Sequence, residues 1–152
     1  MIPGTEACCV LLYGFFGEYE DVRAGDIVRE LHEAATTYEK IDVRINSLGG
    51  EVYTGIAIFN ALRNCPAEIT VYVDGVAASI ASVVAMCGKP VYMSRYARLM
   101  LHSVTGRCYG RQDELHQCAE MSEQVEPTLC TTYAAKTGKE AHGIRPPHFD
   151  AQ

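Results

Sequence analysis

The feature of this sequence that most constrains its fold is an alternation of short β-prone runs with segments of helical periodicity. The run IDVRIN alternates apolar and polar residues, as a half-buried strand does, whereas the segment after it spaces its apolar residues three or four positions apart. The pattern predicts strands at Ala7–Tyr13, Ile41–Asn46, Ile69–Val73, Val91–Met93 and Leu99–His102, and helices at Asp21–Thr37, Glu51–Arg63, Ala78–Cys87 and Gln112–Lys136. This order of elements is typical of an α/β domain.

The composition is that of one soluble domain. The chain has 152 residues, of which 48% are hydrophobic and 21% are charged, which is enough to bury a core. A net charge of −6 argues against general binding to nucleic acids or to an anionic membrane. No segment reaches the roughly 18 consecutive apolar residues that span a bilayer, and the first residues lack the basic region of a signal peptide. We therefore expect a single domain, residues 1–152, in the cytoplasm.

Seven cysteines are many for this length, but their spacing does not point to a metal site. The number is odd, no C-x-x-C pair occurs, and no Cys/His spacing suggests zinc. In a reducing compartment we expect free thiols that serve as small apolar side chains. No metal and no cofactor are expected.

The long predicted helix, Gln112–Lys136, has an apolar stripe longer than a domain of this size readily covers. The stripe consists of Leu115, Cys118, Met121, Val125, Leu129 and Tyr133. Pro127 predicts either a kink in this helix or the start of a new one. The tail from His142 has two prolines and no periodicity, and it is predicted to be irregular.

The first segment that points to chemistry is INSLGGE, residues 45–51, where a strand gives way to a helix through two glycines. Glycines let backbone N–H groups approach a ligand closely, and the start of a helix favours negative charge. An oxyanion would suit this turn, although a Gly-Gly pair is also a common plain turn.

The second and third segments contain a serine and a histidine. VYVDGVAASIAS is predicted to end a strand at Asp74-Gly75 and to lead through small residues to Ser79. Ser79 is either a helix N-cap or a nucleophile, with the N–H of Ile80 facing an oxyanion, and Ser82 is explained as a core hydroxyl. RLMLHS places His102 at the end of an apolar strand, where a histidine is either structural or a general base.

Taken in order, the three segments resemble the Clp protease family of serine peptidases. INSLGG is similar to the family's I-N-S-P-G-G turn, GVAAS to its G-x-A-A-S nucleophile segment, and LMLH to the strand that ends in its catalytic histidine. The resemblance runs from Tyr13 to Gly138 and is strongest to the phage-associated and prophage-associated branch. It implies an α/β fold built as a repeated β-β-α superhelix, with the long helix as its handle.

The resemblance also implies the roles of individual residues. Ser79 would be the nucleophile of an acyl-enzyme mechanism, His102 its general base, and the amides of Gly50 and Ile80 the oxyanion hole. Asp150 falls near the position of the catalytic acid and would hold the imidazole, with Gln152 as the alternative occupant of that position.

The partners implied by the resemblance are a peptide or unfolded protein substrate, further copies of the chain in a homo-oligomeric ring, and an ATPase unfoldase. A head maturation protease is the phage-type version of this function. Neither nucleic acid nor membrane is expected as a partner.

Two departures from the family pattern bear on these expectations. Leu48 replaces the usual proline of the turn, and the chain stops at Gln152, before the family's final helix and strand. Asp74 and Asp113 are other candidate acids, but Asp74 is predicted to lie in a turn with Gly75 and Asp113 at a helix start.

Three other functions stay open from the sequence. The first is a catalytically weak or inactive assembly subunit of the same fold. The second is a crotonase-like acyl-CoA enzyme, which also uses amides as an oxyanion hole but does not call for the Ser79 and His102 pair. The third is a signal-peptide-peptidase-like Ser-Lys dyad, although Lys89 and Lys136 have no comparable motif around them.

Overall fold

The computed structural model describes residues 7–140 as a mixed α/β structure. Its strands are β1 (Cys8–Tyr13), β2 (Lys40–Ser47), β3 (Glu68–Ala78), β4 (Val91–Met93) and β5 (Arg98–Met100). Its helices are α1 (Ala24–Ala35), α2 (Val52–Asn64), α3 (Ile80–Ala85) and α4 (Gln112–Thr137). The predicted α/β class is confirmed, and each predicted element has a counterpart, close to its expected bounds except for β3, which ends later than predicted.

The strands form one parallel sheet in the order β1-β2-β3-β4, and β5 also pairs with β3. Val71–Val73 of β3 pair with β4, and Val76–Ala78 pair with β5. The long strand β3 therefore exchanges one neighbour for another part of the way along its length.

The core lies on the face of the sheet that the helices cover, and period-two alternation explains it. In β2 the side chains of Ile41, Val43 and Ile45 are fully buried, while those between them are half-buried or exposed. Helix α1 adds Ile27, Leu31 and Ala34, which follow one another at helical spacing. On the opposite face of the sheet, Leu11 remains 54% exposed.

Strand β3 departs from its predicted end at Asp74-Gly75. It continues through both residues to Ala78, and its register against β2 shifts on the way, from Ile45↔Val73 to Ser47↔Ala77. Two steps along β2 therefore correspond to four along β3, so β3 contains an irregular segment at residues 74–76. The prediction of a turn at Asp74 is wrong because β2 and β5 supply pairing partners beyond it.

The chain divides into two compact units, residues 1–100 and 101–152. The second unit is described from Leu101 to Glu140 and contains α4. This helix runs through Pro127 without interruption and ends at Gly138, which has a left-handed φ of 71°. The alternative that a new helix begins at Pro127 is therefore wrong.

The second unit also corrects the prediction for the cysteines. Cys108 and Cys118 form a disulfide whose Cα atoms lie 6.5 Å apart, within the range that such bonds span. The expectation of free thiols is wrong for these two residues, because α4 brings them together. Cys87 and Cys130 are buried, as an apolar role requires.

Among residues 7–140, no helix combines the length and the apolar character that crossing a membrane requires.

Candidate active site

Ser79 lies between β3 and α3 in a backbone conformation that is rare for its residue type. Its φ is 55° and its ψ is −132°, and it is the one non-glycine residue with positive φ among residues 7–140. Such a conformation costs about 1–3 kcal/mol and persists only where its surroundings enforce it. Here the Ser79 N–H donates to the carbonyl of Met100 at 2.9 Å, which ties the residue to the end of β5.

The hydroxyl of Ser79 does not cap α3, although Ser79 occupies the N-cap position. The plain capping explanation for this serine is therefore not what the structure shows. Ser82, by contrast, is buried and donates its hydroxyl to the Ser79 carbonyl at 2.5 Å. Its predicted role as a core hydroxyl is confirmed.

The turn of residues 47–51 packs directly against Ser79. Gly49 has a φ of +97°, and a Cβ added to it would lie 2.8 Å from the Ser79 Cβ, 2.8 Å from the Ala78 carbonyl and 3.3 Å from the Ile80 nitrogen. These distances exclude a side chain at Gly49. The absence of a Cβ therefore allows the turn to approach the Ser79–Ile80 junction.

Two backbone N–H groups of this turn donate hydrogen bonds within the protein. The Gly49 N–H donates to the Ser47 Oγ at 3.0 Å, and the Glu51 N–H donates to the Phe16 carbonyl at 2.8 Å. Gly50 lies between these two anchored positions with a φ of +148°. The carbonyl oxygen of Gly49 accepts from the Phe16 N–H at 2.9 Å, and because the peptide is planar this contact also orients the Gly50 N–H.

A cluster of polar side chains beside β3 is a part of this region that the sequence analysis missed. The Asp74 carboxylate accepts hydrogen bonds from the Tyr13 hydroxyl at 2.6 Å and from Arg44 Nε at 2.9 Å, and it forms an ion pair with Arg44 Nη2. We call Tyr13, Arg44 and Asp74 the carboxylate cluster. The signal in the sequence was a pair of opposite charges, Arg44 within one predicted strand and Asp74 directly after the next, but the register that joins them was not visible there.

The charge state of the cluster follows from its contacts. Burial raises the pKa of Asp74, but hydrogen bonds from Arg44 and Tyr13 and the charge of Arg44 lower it by more, so that its pKa lies below the usual range. The hydrogen bond to Asp74 is the main cause that raises the pKa of Tyr13. The cluster is therefore an ionised carboxylate held by two protonated donors.

His102 belongs to the second unit and follows the end of β5 by two residues. Its side chain is exposed, and its Nδ1 lies 2.6 Å from the carbonyl oxygen of Ser103. A carbonyl can only accept, so this contact places the proton on Nδ1 and leaves Nε2 as the basic nitrogen. The Ser103 Oγ is buried without a hydrogen-bond partner in the described part of the chain.

The candidate acids are placed differently from one another. Asp74 lies in the carboxylate cluster, and Asp113 lies in the first turn of α4, 3.6 Å from the Arg111 guanidinium. The helix-start position predicted for Asp113 is confirmed. Asp150, the predicted acid, and Gln152 lie outside the described residues. In the first unit, the structure brings Ser79, Ile80 and the Gly49-Gly50 turn together.

Comparison with known proteins gives one family and several relatives. The family model described as Clp protease matches residues 14–147. ATP-dependent Clp protease proteolytic subunit 1 of Prochlorococcus marinus subsp. pastoris is 30% identical over 115 residues, which are 74% of this chain and 59% of that protein. The proteolytic subunit of Zea mays is 35% identical over 98 residues, covering 62% of this chain and 45% of that protein. Proteolytic subunit 1 of Rhodococcus jostii is 32% identical over 133 residues, which are 84% of this chain and 60% of that protein.

The matched region therefore spans 45–60% of the length of these three relatives. The family match, by comparison, extends from the residue after β1 to a point beyond α4. It includes the glycine turn, Ser79 and His102. A match of this extent, over the same segments that form the candidate site, shows that the chain belongs to the Clp protease family.

Proposed function

We propose that the protein is a serine endopeptidase that cleaves peptide bonds through an acyl-enzyme, with Ser79 as its nucleophile. The observation that carries the proposal is the enforced positive-φ conformation of Ser79 against the glycine turn. A strained residue whose hydroxyl is not used to cap the next helix is typical of a functional position. Family membership supplies the reaction class.

His102 is proposed as the general base. A serine hydroxyl is a poor nucleophile near neutral pH and needs a base to accept its proton. In the proposed mechanism His102 Nε2 takes the Ser79 proton as Oγ attacks the carbonyl carbon, and it then gives that proton to the leaving amine. Water, deprotonated by the same nitrogen, hydrolyses the acyl-enzyme and restores Ser79.

The oxyanion hole is proposed to consist of the N–H groups of Gly50 and Ile80. The anchored amides on either side of Gly50 and the contact of Gly49 with the Ser79–Ile80 junction support this assignment. Removal of one such donor typically lowers turnover by about 10²–10³. A proline at position 50 could not test it, because proline fixes φ near −65° and Gly50 has a φ of +148°.

Asp150 is proposed as the group that orients His102. Loss of this acid lowers turnover by roughly 10⁴ in the serine-protease precedent, and we expect a decrease of that order for Asp150→Asn. Unchanged turnover in Asp150→Asn would instead assign the orienting role to the Ser103 carbonyl, which faces His102 Nδ1.

Labelling with a fluorophosphonate tests the nucleophile. The wild type should react at Ser79, Ser79→Ala should not react, and the matched control Ser82→Ala should still react because Ser82 is a core hydroxyl. A label found elsewhere, or one that persists in Ser79→Ala, would contradict the assignment. A folded wild type that does not react would instead identify an inactive assembly subunit.

Further details of this proposal rest on resemblance alone. We infer that the sheet and α4 belong to a repeated β-β-α superhelix in which α4 is the handle, and that a single domain comprises residues 1–152. We also place the chain in the phage-associated branch, as a cytoplasmic head maturation protease of protein substrates. The relatives are named ATP-dependent, and by analogy an ATPase unfoldase is the proposed partner of a homo-oligomeric ring.

A further inference from the structure

The irregular segment of β3 separates the regular sheet from Ser79. Up to Val73, β3 follows β2 residue for residue, and from Ala77 it pairs again in a new register. Residues 74–76 lie between these two parts. The contacts that fix these three residues therefore also determine where regular pairing resumes and where Ser79 is positioned.

Each end of this segment is held by side chains from neighbouring strands. At its start, Tyr13 of β1 and Arg44 of β2 both donate to the Asp74 carboxylate. At its end, the Val76 N–H donates to the Asn46 Oδ1 at 3.2 Å. Bulges in strands are a usual means of redirecting a side chain next to an active site.

Gly75 shows how closely β2 approaches the segment. A Cβ added to Gly75 would lie 2.5 Å from the Asn46 Oδ1, so a side chain at this position would displace the Asn46 amide that accepts from Val76. Asn46 itself is the register partner of Tyr13 between β1 and β2. The segment is therefore enclosed by the same two strands that supply the donors to Asp74.

We propose that Asp74 is a positioning residue for Ser79, and that Tyr13 and Arg44 hold it in place. The proposal rests on the assignment of Ser79 as the nucleophile. In this role Asp74 acts through the strand rather than on the reacting atoms. It anchors the start of the irregular segment, which lets Val76–Ala78 pair with β5 and brings the Ser79 N–H to the Met100 carbonyl.

A matched ion pair on the same two strands provides the control. Lys40 and Glu68 are paired in register at the opposite end of β2 and β3, and their charged groups lie 3.5 Å apart. Glu68→Gln removes a carboxylate from β3 far along the strand from Ser79. Asp74→Asn removes a carboxylate beside the irregular segment. In both substitutions the new side chain has nearly the same size as the one it replaces.

Two measurements are made on each variant. The first is the maximal rate constant of fluorophosphonate labelling, separated from the apparent affinity for the probe. We expect Asp74→Asn to lower this rate constant roughly tenfold at unchanged affinity, since misplacement of a reacting group by a fraction of an ångström has effects of this order. Glu68→Gln should label like the wild type.

The second measurement is amide hydrogen exchange, which a general loss of stability would raise throughout the sheet. We expect exchange at the Ser79 amide to accelerate in Asp74→Asn by a larger factor than exchange at Val43, in the middle of β2, which reports the general loss of stability. Equal acceleration at both amides, or a wild-type rate at Ser79, would overturn the proposal.

Tyr13→Phe keeps the experiment decisive if Asp74→Asn does not fold, because it removes one hydrogen bond and leaves the ion pair. It should change both readouts in the same direction by a smaller amount, and no change in either would overturn the proposal. A wild type that does not label at Ser79 would refute the nucleophile instead, and the exchange measurement would still decide the role of Asp74.

Discussion

Gly49 is the residue on which the approach of the glycine turn to Ser79 depends. Its positive φ and its contacts with the Ala78 carbonyl and the Ser79 Cβ leave no space for a methyl group. One of the two nearest atoms, the Ala78 carbonyl oxygen, belongs to backbone, which cannot rotate away as the end of a flexible side chain would. The close approach of the turn to Ser79 therefore depends on the absence of a Cβ at Gly49.

We therefore expect Gly49→Ala to destabilise the protein by about 2 kcal/mol or more, because the substitution combines left-handed strain with a backbone clash. Urea unfolding measures this change. Gly25→Ala is the matched control, since Gly25 lies in α1 with nothing within 4 Å of an added Cβ, and it should be neutral or slightly stabilising. Equal effects of the two substitutions would contradict the packing described for Gly49.

Asp74 gives the protein a pH dependence of known sign. Its pKa is lowered in the folded state, so the ionised carboxylate binds its partners more strongly than the protonated form does. The resulting stability is present above the unfolded pKa of about 3.9 and is lost as the pH falls through the folded value. The groups that face it are Tyr13 and Arg44, and it also acts on Cys9.

The expected result is a free energy of unfolding for Asp74→Asn about 2 kcal/mol below that of the wild type at pH 6, as for hydrogen bonds to a charged group. The difference should shrink below pH 4, and urea titrations at both pH values measure it. Glu68→Gln should show a difference of at most about 1 kcal/mol, because exposed ion pairs contribute little. A difference for Asp74→Asn that grows as the pH falls would show that the sign is wrong.

At the scale of elements, the disulfide Cys108–Cys118 connects two unlike parts of the second unit. Residues 101–111 have no helix or strand, and Cys118 lies in the second turn of α4. His102 lies among these residues. The disulfide joins the part of residues 101–111 that is far from His102 to a regular helix and closes a short loop, which restricts the conformations of residues 101–111.

Reduction of the disulfide is therefore expected to speed tryptic cleavage after Arg107 and Arg111, both of which are exposed. Local opening governs cleavage at such sites. Cleavage followed by mass spectrometry, with and without reductant, measures the effect. Cys108→Ser should be cleaved at the rate of the reduced wild type under both conditions, and a wild type indifferent to reductant would contradict the prediction.

At the scale of the whole molecule, α4 bears apolar side chains that the described chain does not bury. Leu115 is 44% exposed and Met121 is 50% exposed, and the buried residues of α4 are Cys130 and Tyr133 near its end. Exposed apolar residues along one helix are typical of an interaction surface. The proposed homo-oligomer offers a partner for them.

Sedimentation at micromolar concentration should accordingly show an oligomer for the wild type. The double substitution Leu115→Glu and Met121→Glu should shift it towards smaller species, because charges would replace apolar contacts. Glu120→Gln, on the same helix, serves as the control and should sediment like the wild type. A wild type that sediments only as a monomer would contradict the proposed assembly.

What the sequence by itself determined is local. Alternation in IDVRIN and three-to-four spacing in the helices predicted the elements, because side-chain period follows directly from backbone geometry. The glycine pair of the turn and the small residues before Ser79 could also be read from the sequence, because positions with little space admit only small residue types. These segments alone carry the resemblance to the family.

Only the tertiary structure decided the contacts between residues far apart in the chain. Asp74 and Gly75 look like a turn when taken alone, yet Tyr13 and Arg44, 61 and 30 residues away from Asp74, hold this part of β3 in the sheet. The positive φ of Ser79 is likewise found where its N–H reaches the carbonyl of Met100 at the end of β5. Local propensity cannot include such partners, because the register that brings them together is a property of the packed sheet.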